Sequence, residues 1–83
     1  MKSNIRMYLV NARNRKGYSM RKTARIAGIT FQHYSKIENG DRGERVSFMI
    51  MSRIADALEI PMDEMKKLER AYQNANENDD YWA

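Results

Sequence analysis

The stretch from Ser19 to Gly40, SMRKTARIAGITFQHYSKIENG, holds two helical segments of roughly two turns each, joined by so few residues that they cannot run back along one another. Ser19 can cap the first segment, MRKTARIA, by accepting from a backbone N–H of its first turn, and Gly28 closes it. Thr30 caps the second, and Gly40 ends it by allowing a left-handed residue after the helix. Isolated helices this short are marginal in water. Both must therefore pack on neighbours, and a connection of Gly28, Ile29 and a cap makes them cross steeply as a helix-turn-helix unit.

The flanking sequence supplies those neighbours. From Asn4 to Lys16, Ile5, Tyr8, Leu9 and Ala12 recur at helical spacing, and Gly17 follows a basic last turn. Ser47 caps a fourth segment running to Leu58, with Phe48, Met51, Ile54, Ala55 and Leu58 as its apolar face. A fifth begins near Pro61, where a missing N–H costs nothing, and carries Met62, Met65, Leu68 and Tyr72 as its stripe. The expectation is an all-α bundle of five short helices over residues 1–73, followed by a polar, flexible tail over 74–83. Tyr81 and Trp82 in that tail can dock on the core or on a second subunit.

Composition narrows the function. At 83 residues there is room for a single domain, and no apolar run is long enough to span a bilayer. Lys2 and Arg6 interrupt any signal-peptide core, which points to a cytoplasmic protein. The absence of cysteine and the presence of one histidine leave no thiolate or zinc site, and neither a metal nor another cofactor is expected. No activated nucleophile or phosphate-binding glycine loop is present, so no enzyme and no small-molecule substrate are expected. Residues 1–45 carry 11 Lys/Arg against 3 Asp/Glu, whereas residues 46–83 carry 4 against 8. The basic half would attract a polyanion, or the asymmetry is an unevenly charged solvated surface.

On the third segment a turn of about 100° per residue sets Thr30, Tyr34 and Ile37 on one side and Gln32 and Lys36 on the other, with Phe31, His33 and Ser35 at the flanks. Gln and Lys offer hydrogen bonds to base edges in a major groove wide enough for an α-helix, and Phe can touch a thymine methyl. The same polar face is also ordinary for a surface helix.

The stretch from Gly17 to Met65 resembles the helix-turn-helix domains of the phage-repressor and Cro type, also called XRE-like. The matching features are Ala24 against the second motif helix, Gly28 at the turn, Ile37 on the buried side, the run KIENG, whose IENG begins nine residues past the turn glycine, and IADALEI in the fourth helix. The resemblance spans Asn4 to Tyr72 and implies a double-stranded DNA reader, usually a homodimeric repressor of phage or mobile-element origin. It implies base contacts from Phe31, Gln32 and Lys36, a phosphate contact from Thr30, and a position for His33 beside the backbone or a base. It also implies an ion pair between Arg13 and Glu38, which suits an inward-facing carboxylate in need of a cation.

Some positions depart from the family pattern. Met20 stands where many members have a glutamine that contacts phosphate, so backbone clamping shifts to Ser19, Arg21 and Lys22. Tyr34 replaces a smaller aliphatic residue, and its hydroxyl needs a partner. Arg42 and Arg45 in the following loop are phosphate partners or solvated loop charges. Met49 and Ile50 lie beside the main face of the fourth helix and, with Tyr72, Tyr81 and Trp82, form a candidate dimer surface. Two other functions stay open: a protein-interaction module such as an antitoxin or antirepressor, and a single-strand binder, which the lack of clustered aromatics disfavours.

Overall fold

A computed structural model describes residues 4–41 and 46–82, with side chains described through residue 75. Within them five helices follow one another: α1 (Met7–Lys16), α2 (Met20–Ala27), α3 (Phe31–Asn39), α4 (Phe48–Ala57) and α5 (Met62–Trp82). The boundaries follow the capping chemistry. Ser19, Thr30 and Ser47 each accept a hydrogen bond from the backbone N–H three residues on, at 3.0, 3.0 and 3.1 Å. α1, α2 and α3 end on Gly17, Gly28 and Gly40 in the left-handed conformation, whereas α4 ends through Glu59 at φ 56°, where Lys16 pairs with its carboxylate.

α2 lies at the centre, packed on both α3 and α4, while α1 packs on α3 and α4 on α5. Small residues make this close approach feasible: Ala12, Ala24, Ala27 and Ala55 are all buried. The remaining core volume is filled by Leu9, Tyr34, Ile37, Met51, Ile54, Leu58 and Met65. Tyr34 is wholly enclosed in this core, and Thr23 and Ala27 are buried as well.

Three elements differ from the sequence-based expectation. α1 begins at Met7 rather than Asn4, because Asn4–Arg6 form a non-helical strap across the end of α3. The Arg6 N–H donates to the Glu38 carbonyl at 2.7 Å, and its Nη1 donates to the Ile37 carbonyl at 2.6 Å. The first bond satisfies a carbonyl of the last helical turn, and the second adds a charged donor to a carbonyl that the Gly40 N–H also reaches. The strap is held from the other side by α5: Arg6 Nε and Nη2 each donate to Glu69 at 2.9 Å, and Tyr72 donates to the Asn4 carbonyl at 2.6 Å. Gly40 lies directly beneath it, and a Cβ there would overlap the Asn4 carbonyl oxygen and reach 2.6 Å from the Tyr72 hydroxyl.

Phe48, expected on the apolar face of α4, is 66% exposed, because it starts the helix beyond the edge of the core, near Lys66. α5 continues to Trp82, through residues expected to form a flexible tail. No glycine or proline follows Pro61 to stop it. The side chains of Tyr81 and Trp82 lie outside the described residues.

Candidate nucleic-acid interface

The helix that presents the candidate site is fixed from behind. Tyr34 and Ile37 are fully buried, and Glu38, four residues after Tyr34, is 2% exposed. A carboxylate at that depth is tolerable only with partners. Arg13 Nε and Nη2 donate to its two oxygens at 2.7 and 2.9 Å, and the Tyr34 hydroxyl donates to Oε1 at 2.8 Å. The pair that the resemblance implies is thus a two-pronged contact, and Tyr34 meets its need for a partner at the same carboxylate. The hydrogen bond to Glu38 raises the Arg13 pKa against the opposing effect of burial. Burial first, and then the bond to Glu38, pushes the Tyr34 hydroxyl well above the ordinary phenol value. Arg13 also donates to the Tyr18 carbonyl at 2.9 Å, tying the α1–α2 turn to this cluster.

With that side anchored, the opposite side of α3 faces outward. Gln32, Lys36 and Asn39 are exposed and Ser35 is half-buried, and the i, i+3, i+4, i+7 spacing aligns all four in one stripe. Asn39 donates to Ser35 at 3.3 Å. Asn39 was absent from the sequence-derived set, although its spacing from Gln32 and Lys36 was the available signal. Phe31 borders the stripe, half-buried, with the Arg21 guanidinium 4.2 Å from its ring centroid. His33 is half-buried on the other flank and lines a shallow hollow with Val46, Ser47 and Ile50.

Around the stripe stand the groups expected to clamp a backbone. Ser19 and Thr30 are exposed caps, so two helix N-termini, each with unpaired N–H groups and a positive dipole end, lie on the surface. Arg21 and Lys22 are exposed, the latter with its ammonium 4.6 Å from the Tyr18 ring centroid. Gly28, which sets the turn between α2 and α3, has φ 76°, and the nearest atom to an added Cβ would be 3.9 Å away. Backbone conformation rather than space requires glycine there. Arg42 and Arg45 lie outside the described residues.

The candidate dimer residues divide. Met49 is 61% exposed and adjoins Phe48, while Ile50 is partly buried against the core. Tyr72 is half-buried and bonded within the chain: its hydroxyl holds Asn4 and its ring lies 4.4 Å from the Arg6 guanidinium. Sequence reasoning also missed the Arg6, Tyr8 and Glu69 cluster. Burial pushes the Glu69 carboxyl up, but hydrogen bonds from Arg6, Tyr8 and Gln73, with the charge of Arg6, outweigh it and leave the pKa lowered. Among the described residues no group of His, Cys, Asp or Glu could hold a metal, and no helix is long and apolar enough to cross a membrane.

No curated protein matches the chain. The Helix-turn-helix family model matches residues 9–65, a span that includes both motif helices and the Arg13–Glu38 pair. That match covers more than half of the sequence, and the chain belongs to the XRE and lambda-repressor-like helix-turn-helix family, a family of DNA-binding transcription regulators.

Proposed function

We propose that the protein is a sequence-specific repressor that inserts α3 into the major groove of double-stranded DNA. The observation that carries this reading is the two-sided character of α3: Tyr34, Ile37 and Glu38 are locked inside, while Gln32, Ser35, Lys36 and Asn39 form one outward stripe. A rigid rod with amide, hydroxyl and ammonium groups along one face suits the donor and acceptor pattern of base edges. Gln32, Lys36 and Phe31 read bases. Thr30, Ser19, Lys22 and His33 face the sugar-phosphate backbone, and Arg42 and Arg45 are assigned to the same role.

Repression fits because covering a promoter requires only tight operator binding. The unit acts in the cytoplasm as a homodimer on two half-sites about one helical turn apart. The exposed Phe48 and Met49 support a contact surface for the second copy. An origin in a phage or mobile element follows from the family resemblance. The reading unit is residues 1–73, and α5 runs on past it to Trp82.

The same exposed pair favours a second reading, a module that binds a protein partner through the start of α4. Selection of bound duplexes from random DNA separates the two. The DNA reader enriches one sequence and loses affinity steeply with rising salt. If no duplex is enriched, and a protein partner binds with little salt dependence, the interaction module stands instead.

A further inference from the structure

Arg21 lies in the first turn of α2 and Phe31 is the first residue of α3, so the contact between them, 4.2 Å from guanidinium to ring centroid, bridges the two motif helices at their exposed starts. A guanidinium is planar and stacks on an aromatic face, which holds the ring in one orientation in a way that a point charge on a flexible stem does not. The ring that remains accessible presents only C–H groups, and it borders the stripe of Gln32, Ser35, Lys36 and Asn39.

We propose that Arg21 and Phe31 together form a subsite for the 5-methyl group of a pyrimidine, in which Phe31 makes the contact and Arg21 is a positioning residue. The inference rests on the DNA-reading function above and deepens it. A phenyl ring has no donor or acceptor, so hydrogen-bond patterns on base edges are invisible to it. The apolar feature a major groove offers is the methyl at C5 of thymine, which 5-methylcytosine shares. An apolar ring set beside a row of hydrogen-bonding side chains therefore adds a test for that methyl. Arg21 was expected to contact phosphate, but a guanidinium that swings out to a phosphate uncovers the ring. The two uses compete, and the geometry favours the ring.

The experiment uses the duplex selected by the full chain, resynthesised with each thymine in turn replaced by deoxyuridine. This removes the methyl and leaves the hydrogen-bonding pattern unchanged. One thymine in each half-site is expected to lose about fourfold in affinity, the size of one buried methyl-sized group. That ratio should fall to about one in Phe31→Ala and in Phe31→Leu, which keeps the bulk but not the flat face. It should also fall to about one in Arg21→Ala and Arg21→Lys, with the salt dependence of Arg21→Ala equal to that of the parent. Helical content measured by circular dichroism checks that each variant is folded.

A parallel series places cytosine or 5-methylcytosine at the sensitive position. A gain on methylation means that the subsite accepts the methyl from either base, and no gain restricts it to thymine; both outcomes keep the subsite. The proposal is overturned if no thymine is sensitive. It is equally overturned if Arg21→Ala keeps the thymine-to-uracil ratio while its salt slope drops by about one, which would assign Arg21 to a phosphate. A chain that enriches no duplex at all removes the DNA reading and the subsite with it.

Discussion

Arg13 and Glu38 meet through two hydrogen bonds, Nε to Oε1 at 2.7 Å and Nη2 to Oε2 at 2.9 Å, and the Tyr34 hydroxyl closes on the same Oε1 at 2.8 Å. The Glu38 side chain is 3% exposed and that of Arg13 13%, so the carboxylate depends more on the cation than the reverse. Arg13→Ala strands a buried charge and is expected to cost about 3 kcal/mol in urea unfolding. Tyr34→Phe removes one hydrogen bond and should cost about 1 kcal/mol. Equal losses from the two variants would contradict this hierarchy.

Gly17 and Gly40 share the same φ of 72°, yet their surroundings differ. An added Cβ at Gly17 meets nothing within 4 Å, whereas at Gly40 it overlaps the strap. Gly17→Ala is therefore expected to cost about 1 kcal/mol, the left-handed penalty alone. Gly40→Ala adds the displacement of Asn4 and Tyr72 and should cost at least twice as much on the order of 2–4 kcal/mol. Comparison of the two denaturation midpoints checks the difference.

The Glu69 carboxyl titrates below its unfolded value of about 4.3. Its contribution to stability is accordingly complete above that pH and disappears as the pH falls through the lower, folded-state pKa. Thermal melts between about pH 5 and pH 2 should show a drop that is shallower in Glu69→Gln, which has no charge to lose. Parallel curves for the two proteins would show that other groups control the acid transition.

On DNA, Gln32→Ala and Lys36→Ala are each expected to cost about 1 to 3 kcal/mol and to relax preference at particular base pairs. Lys22→Ala should weaken all duplexes alike and lower the salt slope by about one. Titration of each variant against the selected duplex and its single-base variants measures both effects.

Phe48 and Met49 are exposed at the start of α4 and contribute little to the core. Their joint replacement by serine is expected to change folding stability by less than about 0.5 kcal/mol. Self-association should nevertheless be lost, as read by sedimentation equilibrium. An unchanged dimer would move the interface elsewhere.

Much of this architecture was legible because short-range chemistry decides it. Ser19, Thr30 and Ser47 cap, and Gly17, Gly28 and Gly40 stop, for reasons contained within a few residues of chain. The stripe on α3 was legible for the same reason, since helical periodicity alone separates Gln32 and Lys36 from Tyr34 and Ile37. What could not be read was Arg6. A charged residue near a terminus looks solvated in sequence, and its 6% exposure depends on Glu69, a partner 63 positions away. Phe48 failed in the opposite direction, because periodicity identifies a face of α4 but not where the neighbouring helix ceases to cover it.

The strap across Gly40 also has a consequence for synthesis. Arg6 leaves the ribosome long before the carboxylate of Glu69, and the Asn4 carbonyl waits as long for Tyr72. Vectorial translation thus delivers α3 well ahead of the groups that brace its far end, so the nascent chain gains a seated reading head only after α5 has emerged.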